Sequence, residues 1–531
     1  MQLEHLEIMK YFKRWKMEKE IQKYKVLFDK LKGNNHFYRL GKLFQTSNNN
    51  YFYDMRTGKI FQLSEPTYRL LDKIFDEDDY EIAINSLAMN DIDILKSSAE
   101  IVDAVNNENI LKAPEIKEFR GPHNEALEYY LCNQMSQLTL EVTEACNMRC
   151  RYCIYNESHN DSHGYTNKMM SFDTAKKAID YAFPRTGENF YVAFYGGEPL
   201  LNYELIHKCI EYTNSIVGNK NHGFSLTTNA TLITKEIAEY FAKNDVVVLV
   251  SLDGPEDIHN ENRIFCDGTG SFAATIRGLK FLIEAYGKEK SLTNIFISMV
   301  TSGRNIEEKY DKIQEFFDQN NWIPEGISVN TSYVSYGRNE EEYELIGCKK
   351  EKEYAKNINN DPLLHWSIAH GYGKENQALF SNSHIERLLH IIHRRDLSNE
   401  PMTQYYFNGC CVPGSRRLHI NVDGMFLPCE RVGKVPFIGN VDSGFDVDAI
   451  KKYYVHDFMK AAVPVCKNCW AAHLCTSCYI DCFDENGIHM EYRHNGCKYI
   501  RYMLEQSLKL YHEILETNPE ALRKLNNIVM V

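Results

Sequence analysis

The sequence has no long apolar run, no export signal and no surplus of positive charge, and each absence excludes something. Its best uninterrupted apolar stretch, Val246 to Val250, falls far short of the roughly 20 residues a bilayer span needs. Charged residues interrupt the N-terminus throughout, so it does not read as a secretory signal. Glu4, Glu7, Glu18 and Glu20 among the basic residues do not fit a mitochondrial presequence either. The formal net charge of -13 would repel a polyphosphate backbone, which argues against a nucleic-acid partner. The expectation is a cytoplasmic protein with neither membrane nor nucleic acid as partner. What is present is an ordinary soluble balance, 44% hydrophobic and 25% charged, in 531 residues, enough for roughly two to four domains.

Cysteine is plentiful, and its distribution says more than its number. Of 16 cysteines, three stand at 146, 150 and 153 and nine between 410 and 497, while Cys132, Cys209, Cys266 and Cys348 are scattered. Without export, reducing cytosol disfavours disulfides, so the two groups read as metal or cluster ligands and the scattered four as ordinary thiols.

Residues 1–34 carry Lys, Glu and large apolar side chains without proline or glycine until Gly33, which predicts one long helix over 5–32. In 35–116, alternation predicts strands over Phe37–Thr46, Tyr51–Asp54 and Lys59–Leu63, then helices over Tyr68–Phe75 and 80–105: a small α+β domain. Across 117–335, β-rich runs at Leu138–Val142, Phe190–Tyr195, Gly223–Thr228, Val246–Ser251, Asn294–Val300 and Gly326–Asn330 alternate with helix-period segments. Six such units predict a parallel α/β sheet, either open or curled into a partial barrel. Residues 336–405 read as a polar helical insertion with His365, His370, His384, His390 and His393, a solvated segment rather than a metal site. Residues 406–500 are cysteine-rich with short strands, and 501–531 close on a helix.

The strongest motif is Cys146-x-x-x-Cys150-x-x-Cys153, directly after the first strand. Three thiolates this close can hold three irons of a [4Fe–4S] cube and leave the fourth open to chelate the amino and carboxylate groups of S-adenosylmethionine (SAM). An electron from such a cluster breaks the carbon–sulfur bond and releases a 5′-deoxyadenosyl radical. Structural zinc, the alternative, uses four ligands in paired form, and no fourth partner is near in sequence.

This spacing, with aromatic Tyr152 before the third cysteine, resembles the radical SAM superfamily, which implies Tyr152 among the cofactor-binding residues. Tyr195-Gly196-Gly197-Glu198-Pro199 is similar to that family's Gly-Gly-Glu motif, which receives the SAM amino group. The resemblance implies that Gly196 and Gly197 let backbone approach the ligand and that Glu198 accepts from its ammonium. Ser251-Leu252-Asp253-Gly254-Pro255, continuing to Arg263, is similar to the segment in which a serine and an arginine hold the SAM carboxylate. These motifs and Thr228-Asn229 each follow the C-terminal end of a different strand, and in a parallel sheet those ends share one ligand-binding face.

The pattern Cys411-x12-Gly424-x4-Cys429, then Cys466-x2-Cys469-x5-Cys475-x2-Cys478-x3-Cys482 and finally Cys497 resembles the SPASM domain, which holds two auxiliary [4Fe–4S] clusters. The resemblance implies Cys466, Cys469, Cys475 and Cys497 on one cluster and Cys411, Cys429 and a cysteine after Cys475 on the other. The family's usual step after the third cysteine is x3, not x2, so Cys478 or Cys482 or both could serve. Two cubes need eight thiolates and nine are present, adjacent Cys410 and Cys411 not being expected to ligate together.

The 35–116 region resembles the winged-helix-like recognition element of peptide maturases, which offers a strand edge to a leader peptide. Together the resemblances imply a partial (β/α)6 TIM-type radical SAM barrel between that domain and a SPASM domain. They further imply three [4Fe–4S] clusters, SAM, a ribosomal precursor peptide, a reduced flavodoxin- or ferredoxin-type electron donor and an anaerobic or low-oxygen bacterial cytoplasm. The product would be a thioether between cysteine sulfur and a peptide carbon. Formylglycine formation on a sulfatase and a non-catalytic zinc or iron–sulfur binding protein are the alternatives. Glu430, next to Cys429, is a candidate proton acceptor, although an exposed loop carboxylate is the plainer reading.

Overall fold

The glycine-free run at the N-terminus forms one helix, α1 (Gln2–Lys32), ended by Gly33 at φ +60°. The structure is a computed structural model and describes residues 2–156, 164–301, 306–334, 363, 364, 366, 382–431, 433–484 and 486–527. Most of the expected insertion, with His365, His370 and Cys348, lies outside them.

The small domain is an antiparallel meander of β1 (Gly41–Gln45), β2 (Asn50–Asp54) and β3 (Ile60–Leu63), packed by α2 (Glu65–Glu77), α3 (Tyr80–Ser86) and α4 (Asp91–Glu108). Two expectations shift. The strand expected from Phe37 begins at Gly41, because Phe37–Leu40 wind into a 3₁₀ turn. A Cβ at residue 41 would stand 2.2 Å from the Tyr53 carbonyl oxygen, so the strand needs glycine to enter the sheet there. The helix expected over 80–105 is two, since the Asn90 side chain accepts from the Asp93 N–H and caps a new start.

The six predicted units are all present. Strands β4 (Met135–Thr143), β5 (Thr186–Gly196), β6 (Asn221–Thr228), β7 (Val247–Ser251), β8 (Ile295–Thr301) and β9 (Ser328–Tyr333) pair in parallel in chain order. Helices cover one face, where Leu138, Leu140, Val192, Phe194, Leu226, Val248, Val250 and Ile297 are buried. The opposite face carries Gln137, Tyr195, Ser225, Thr227, Ser251 and Ser298, all half-buried. That alternation makes a polar inner face rather than a second apolar core.

The cysteine-rich region does not stand apart from the barrel. Strand β10 (Arg417–Ile420) pairs in parallel with the free side of β4, and β11 (Met425–Leu427), β12 (Gly439–Asn440) and β13 (Gly444–Phe445) extend the sheet to ten strands. The last long helix, His494–Thr517, returns to the N-terminal domain. There Glu516 accepts from Tyr51 Oη (2.7 Å) and Thr46 Oγ1 (2.8 Å), and Lys42 pairs with Glu505 at 2.7 Å. Among the described residues no helix is long and apolar enough to cross a membrane.

Candidate active site

The loop after β4 carries Cys146, Cys150 and Cys153, and its neighbours hold it as well as its own turns, such as Cys153 N–H to the Cys150 carbonyl (3.1 Å). Arg149 N–H donates to the Ile264 carbonyl (2.8 Å) and Arg151 N–H to that of Asn262 (3.0 Å), with a bridge between Met148 and Phe265. From the other side, Asn147 Nδ2 donates to Thr231 Oγ1 and Asn147 Oδ1 accepts from Asn229 Nδ2, both at 2.9 Å.

Burial pushes all three thiols up, Cys150 to about 12; Cys150 and Cys153 also raise Cys146, and Cys153 raises Cys150. Met148 N–H points at Cys146 Sγ (3.4 Å), and the Arg263 charge lowers Cys150 and Cys153. Soft thiols gathered from one loop, with cationic and N–H partners around them, fit an iron–sulfur cluster. Among the described residues no three His, Cys, Asp or Glu side chains form a site for a single metal ion.

The Gly-Gly-Glu turn ends β5 and presses on this loop. A Cβ at Gly196 would meet the Thr143 carbonyl oxygen at 2.1 Å, and one at Gly197 the Ala145 carbonyl oxygen at 2.2 Å. Gly197 N–H donates to Thr143 and Glu198 N–H to Ala145, each at 2.9 Å. The glycines therefore admit backbone to backbone, docking the turn on the cysteine loop, in addition to any approach to a ligand. Glu198 is 1% exposed and accepts from Thr228 Oγ1 (2.7 Å), Leu200 N–H (3.1 Å) and Asn229 N–H (2.9 Å). Burial still raises its pKa to about 7, so three neutral donors do not replace a cation.

Arg263 and Tyr152 meet on a residue the sequence motif contained without a role. Asp253 Oδ2 accepts from Tyr152 Oη (2.5 Å) and Arg263 Nε (2.9 Å), and Oδ1 accepts from Val300 N–H (2.9 Å). Arg263 lies 5.4 Å from the Tyr152 ring centroid. His259, its pKa lowered to about 4 by burial, takes the Asp253 N–H on Nδ1 and faces Ser271 Oγ with Nε2 at 3.0 Å. Arg263 thus uses its Nε edge on a carboxylate within the chain. Ser251 ends β7 half-buried in register with Ser298, and its hydroxyl joins no hydrogen bond of this network among the described residues.

The second cysteine group separates into two sets. Cys466 interacts electrostatically with Cys475, Cys469 and Cys497, and Arg493 sits against them with Nη2 3.8 Å from Cys475 Sγ. The other set surrounds Tyr479, which interacts with Cys478, Cys410, Cys411 and Cys429. Here Cys410 is hydrogen-bonded to Cys478, while Cys411 Sγ lies 4.0 Å from Arg416 Nη1. Cys478 rather than Cys482 stands among this set, and Cys482 is fully buried on the side of Arg493. Glu430 is not an exposed loop carboxylate. It is ion-paired with Arg417, its side chain is 13% exposed, and its Oε2 is buried without a hydrogen-bond partner among the described residues. Its charge reaches Tyr195 on the inner wall. His393, between Tyr511 Oη and Asn526 Oδ1 at 3.0 Å each, is a packing residue.

Residues 140–311 match the Radical SAM superfamily, so the chain carries a radical SAM domain. An uncharacterized protein of Methanocaldococcus jannaschii is 37% identical over 161 residues, 30% of this chain and 53% of that one. The cysteine-type anaerobic sulfatase-maturating enzyme of Clostridium novyi is 25% identical over 358 residues, 65% of this chain and 87% of that one. Several of the curated relatives are matched over only about half of their own length. The solved structure described as native anSMEcpe with bound AdoMet superposes with a TM-score of 0.52 at 22% identity, covering 74% of this chain and all of that one, and so shares the fold.

Proposed function

We propose that the chain is a radical SAM peptide maturase that installs thioether crosslinks in a ribosomally made precursor peptide. The observation that carries the reading is that the cysteine loop, the Gly-Gly-Glu turn and the Asp253–Arg263 pair, from three different strand ends, hydrogen-bond or pack around one another at one mouth of the barrel. When bound, a [4Fe–4S] cluster with SAM supplies a radical able to abstract hydrogen from an unactivated carbon.

The chain's own residues supply the rest. Cys146, Cys150 and Cys153 would hold the cluster. Glu198, desolvated and short of a cation, would receive the SAM ammonium, and ion pairing there would draw its pKa back down. Arg263, fixed by Asp253 and set against Tyr152, would offer its remaining N–H groups to the SAM carboxylate. The polar inner wall would receive the peptide. Glu430, whose Oε2 is buried and has no partner among the described residues, would accept a proton from the substrate near Tyr195. Cys466, Cys469, Cys475 and Cys497 would hold one auxiliary cluster, and the set around Tyr479 the other. Strand β3, paired on one side only among the described residues, supports leader binding by strand addition. A reduced flavodoxin- or ferredoxin-type protein would deliver the electron.

Likeness to the sulfatase-maturating enzyme favours a second reading, formylglycine formation. Anaerobic reconstitution with SAM and dithionite, followed by mass spectrometry of a co-expressed Cys-containing peptide, decides between them. Loss of two hydrogens per crosslink with 5′-deoxyadenosine release is expected, and loss of sulfur supports formylglycine instead. An iron-replete chain that leaves SAM intact with peptide present sinks both.

A further inference from the structure

A cavity of about 220 Å³ opens where the small N-terminal domain, the helix Asn382–His393 and the cysteine-rich region meet. Its wall includes Arg56, His390, Arg394, Arg395, Asp396 and His473. Arg56 comes from the turn after β2, which Asp54 braces by accepting from the N–H groups of Arg56 and Thr57 and from Thr57 Oγ1. The guanidinium, in a residue only 2% exposed, lies 3.9 Å from the Tyr405 ring centroid. Its Nε donates to the Met402 carbonyl (2.6 Å) and its Nη2 to that of Gln404 (2.5 Å). Arg395 spends Nε on the Gly58 carbonyl (2.7 Å) and Nη1 on that of Ile392 (2.6 Å).

Neither arginine has an ion pair with a carboxylate among the described residues, and burial lowers the pKa of both. The one acid on the wall, Asp396, is exposed. Three nitrogens remain without a protein partner among the described residues: Arg56 Nη1, Arg395 Nη2 and the buried ring nitrogen Nε2 of His390. A buried guanidinium such as Arg56, held by carbonyl dipoles and an aromatic face without a paired carboxylate, is costly, and converging guanidinium donors match the lone pairs of an oxyanion.

We propose that this cavity binds a small oxyanion, a phosphate or carboxylate group, which bridges the N-terminal domain to the cysteine-rich region. Its occupant would supply the counter-charge that Arg56 and Arg395 lack and close the joint between parts of the chain that are distant in sequence. The site is separate from the cysteine loop at the barrel mouth, although its wall reaches Cys475 of the second cysteine group, and the proposal does not depend on which bond the enzyme makes.

The test is calorimetric titration of the anaerobically reconstituted full chain with inorganic phosphate and, in a second arm, acetate, against chloride at equal ionic strength. Saturable binding at one site per chain is expected. It should weaken about tenfold or more in Arg395→Met and in His390→Leu, since each variant removes a donor to a charged acceptor. His390→Leu leaves every arginine–carbonyl contact in place and decides the matter if Arg395→Met does not fold. Tighter phosphate assigns a phosphate group, and tighter acetate a carboxylate. No saturable binding of either anion, or equal binding in the wild type and His390→Leu, overturns the site.

Discussion

Glu198 binds its proton more firmly in the folded chain than in the unfolded one, because burial lifts its pKa from 4.5 to about 7. The sign follows directly: this group favours the fold most below pH 4.5, and its contribution is lost as pH rises towards about 7. Denaturant unfolding of the cluster-free chain should therefore show stability from this residue falling across that window, with the slope absent in Glu198→Gln. Asp253 poses the opposite problem, a charge that cannot be removed safely. Asp253→Asn would leave Arg263, 7% exposed, without its counter-ion, at a cost of about 3–5 kcal/mol by thermal or urea unfolding. The sequence disclosed Arg263 and Tyr152 as ligand-facing candidates but not their shared acceptor. A carboxylate in a turn motif carries no mark of which distant phenol and guanidinium will reach it.

Elements were legible where periodicity is local. Alternating strand and helix patterns announced all six units, because each strand's outward face must be apolar to meet its helices. The addition of Arg417–Ile420 to the free side of β4 was not legible, since hydrogen-bonded pairing between segments far apart in the chain leaves no periodic trace. Spacing also left Cys478 and Cys482 equivalent, and the 3₁₀ turn Tyr479–Cys482 separates them by setting Cys478 before it and burying Cys482 at its end. Cys478→Ser should lose about four irons per chain by anaerobic iron and sulfide analysis, together with one auxiliary signal in paramagnetic resonance. Cys482→Ser should retain them and lose stability alone.

On the scale of the whole molecule, the N-terminal domain meets the long C-terminal helix. Glu516 near the end of the long C-terminal helix takes hydrogen bonds from Thr46, Asn48 and Tyr51 of the N-terminal domain. Glu516→Ala should cost about 2 kcal/mol at this joint, read as earlier proteolytic release of the N-terminal domain. SAM cleavage without peptide should be unchanged, because no contact of Glu516 reaches the cysteine loop.

The shared backbone seam between Arg417–Ile420 and Gln137–Leu140 sets one last constraint. Loops rooted on two adjacent strands keep a constant separation unless main-chain bonds tear. A tunnelling gap between the redox groups proposed for them would stay the same width whether or not a guest occupies the barrel, so the rate of electron hopping would be a property of the scaffold and not of the traffic through it.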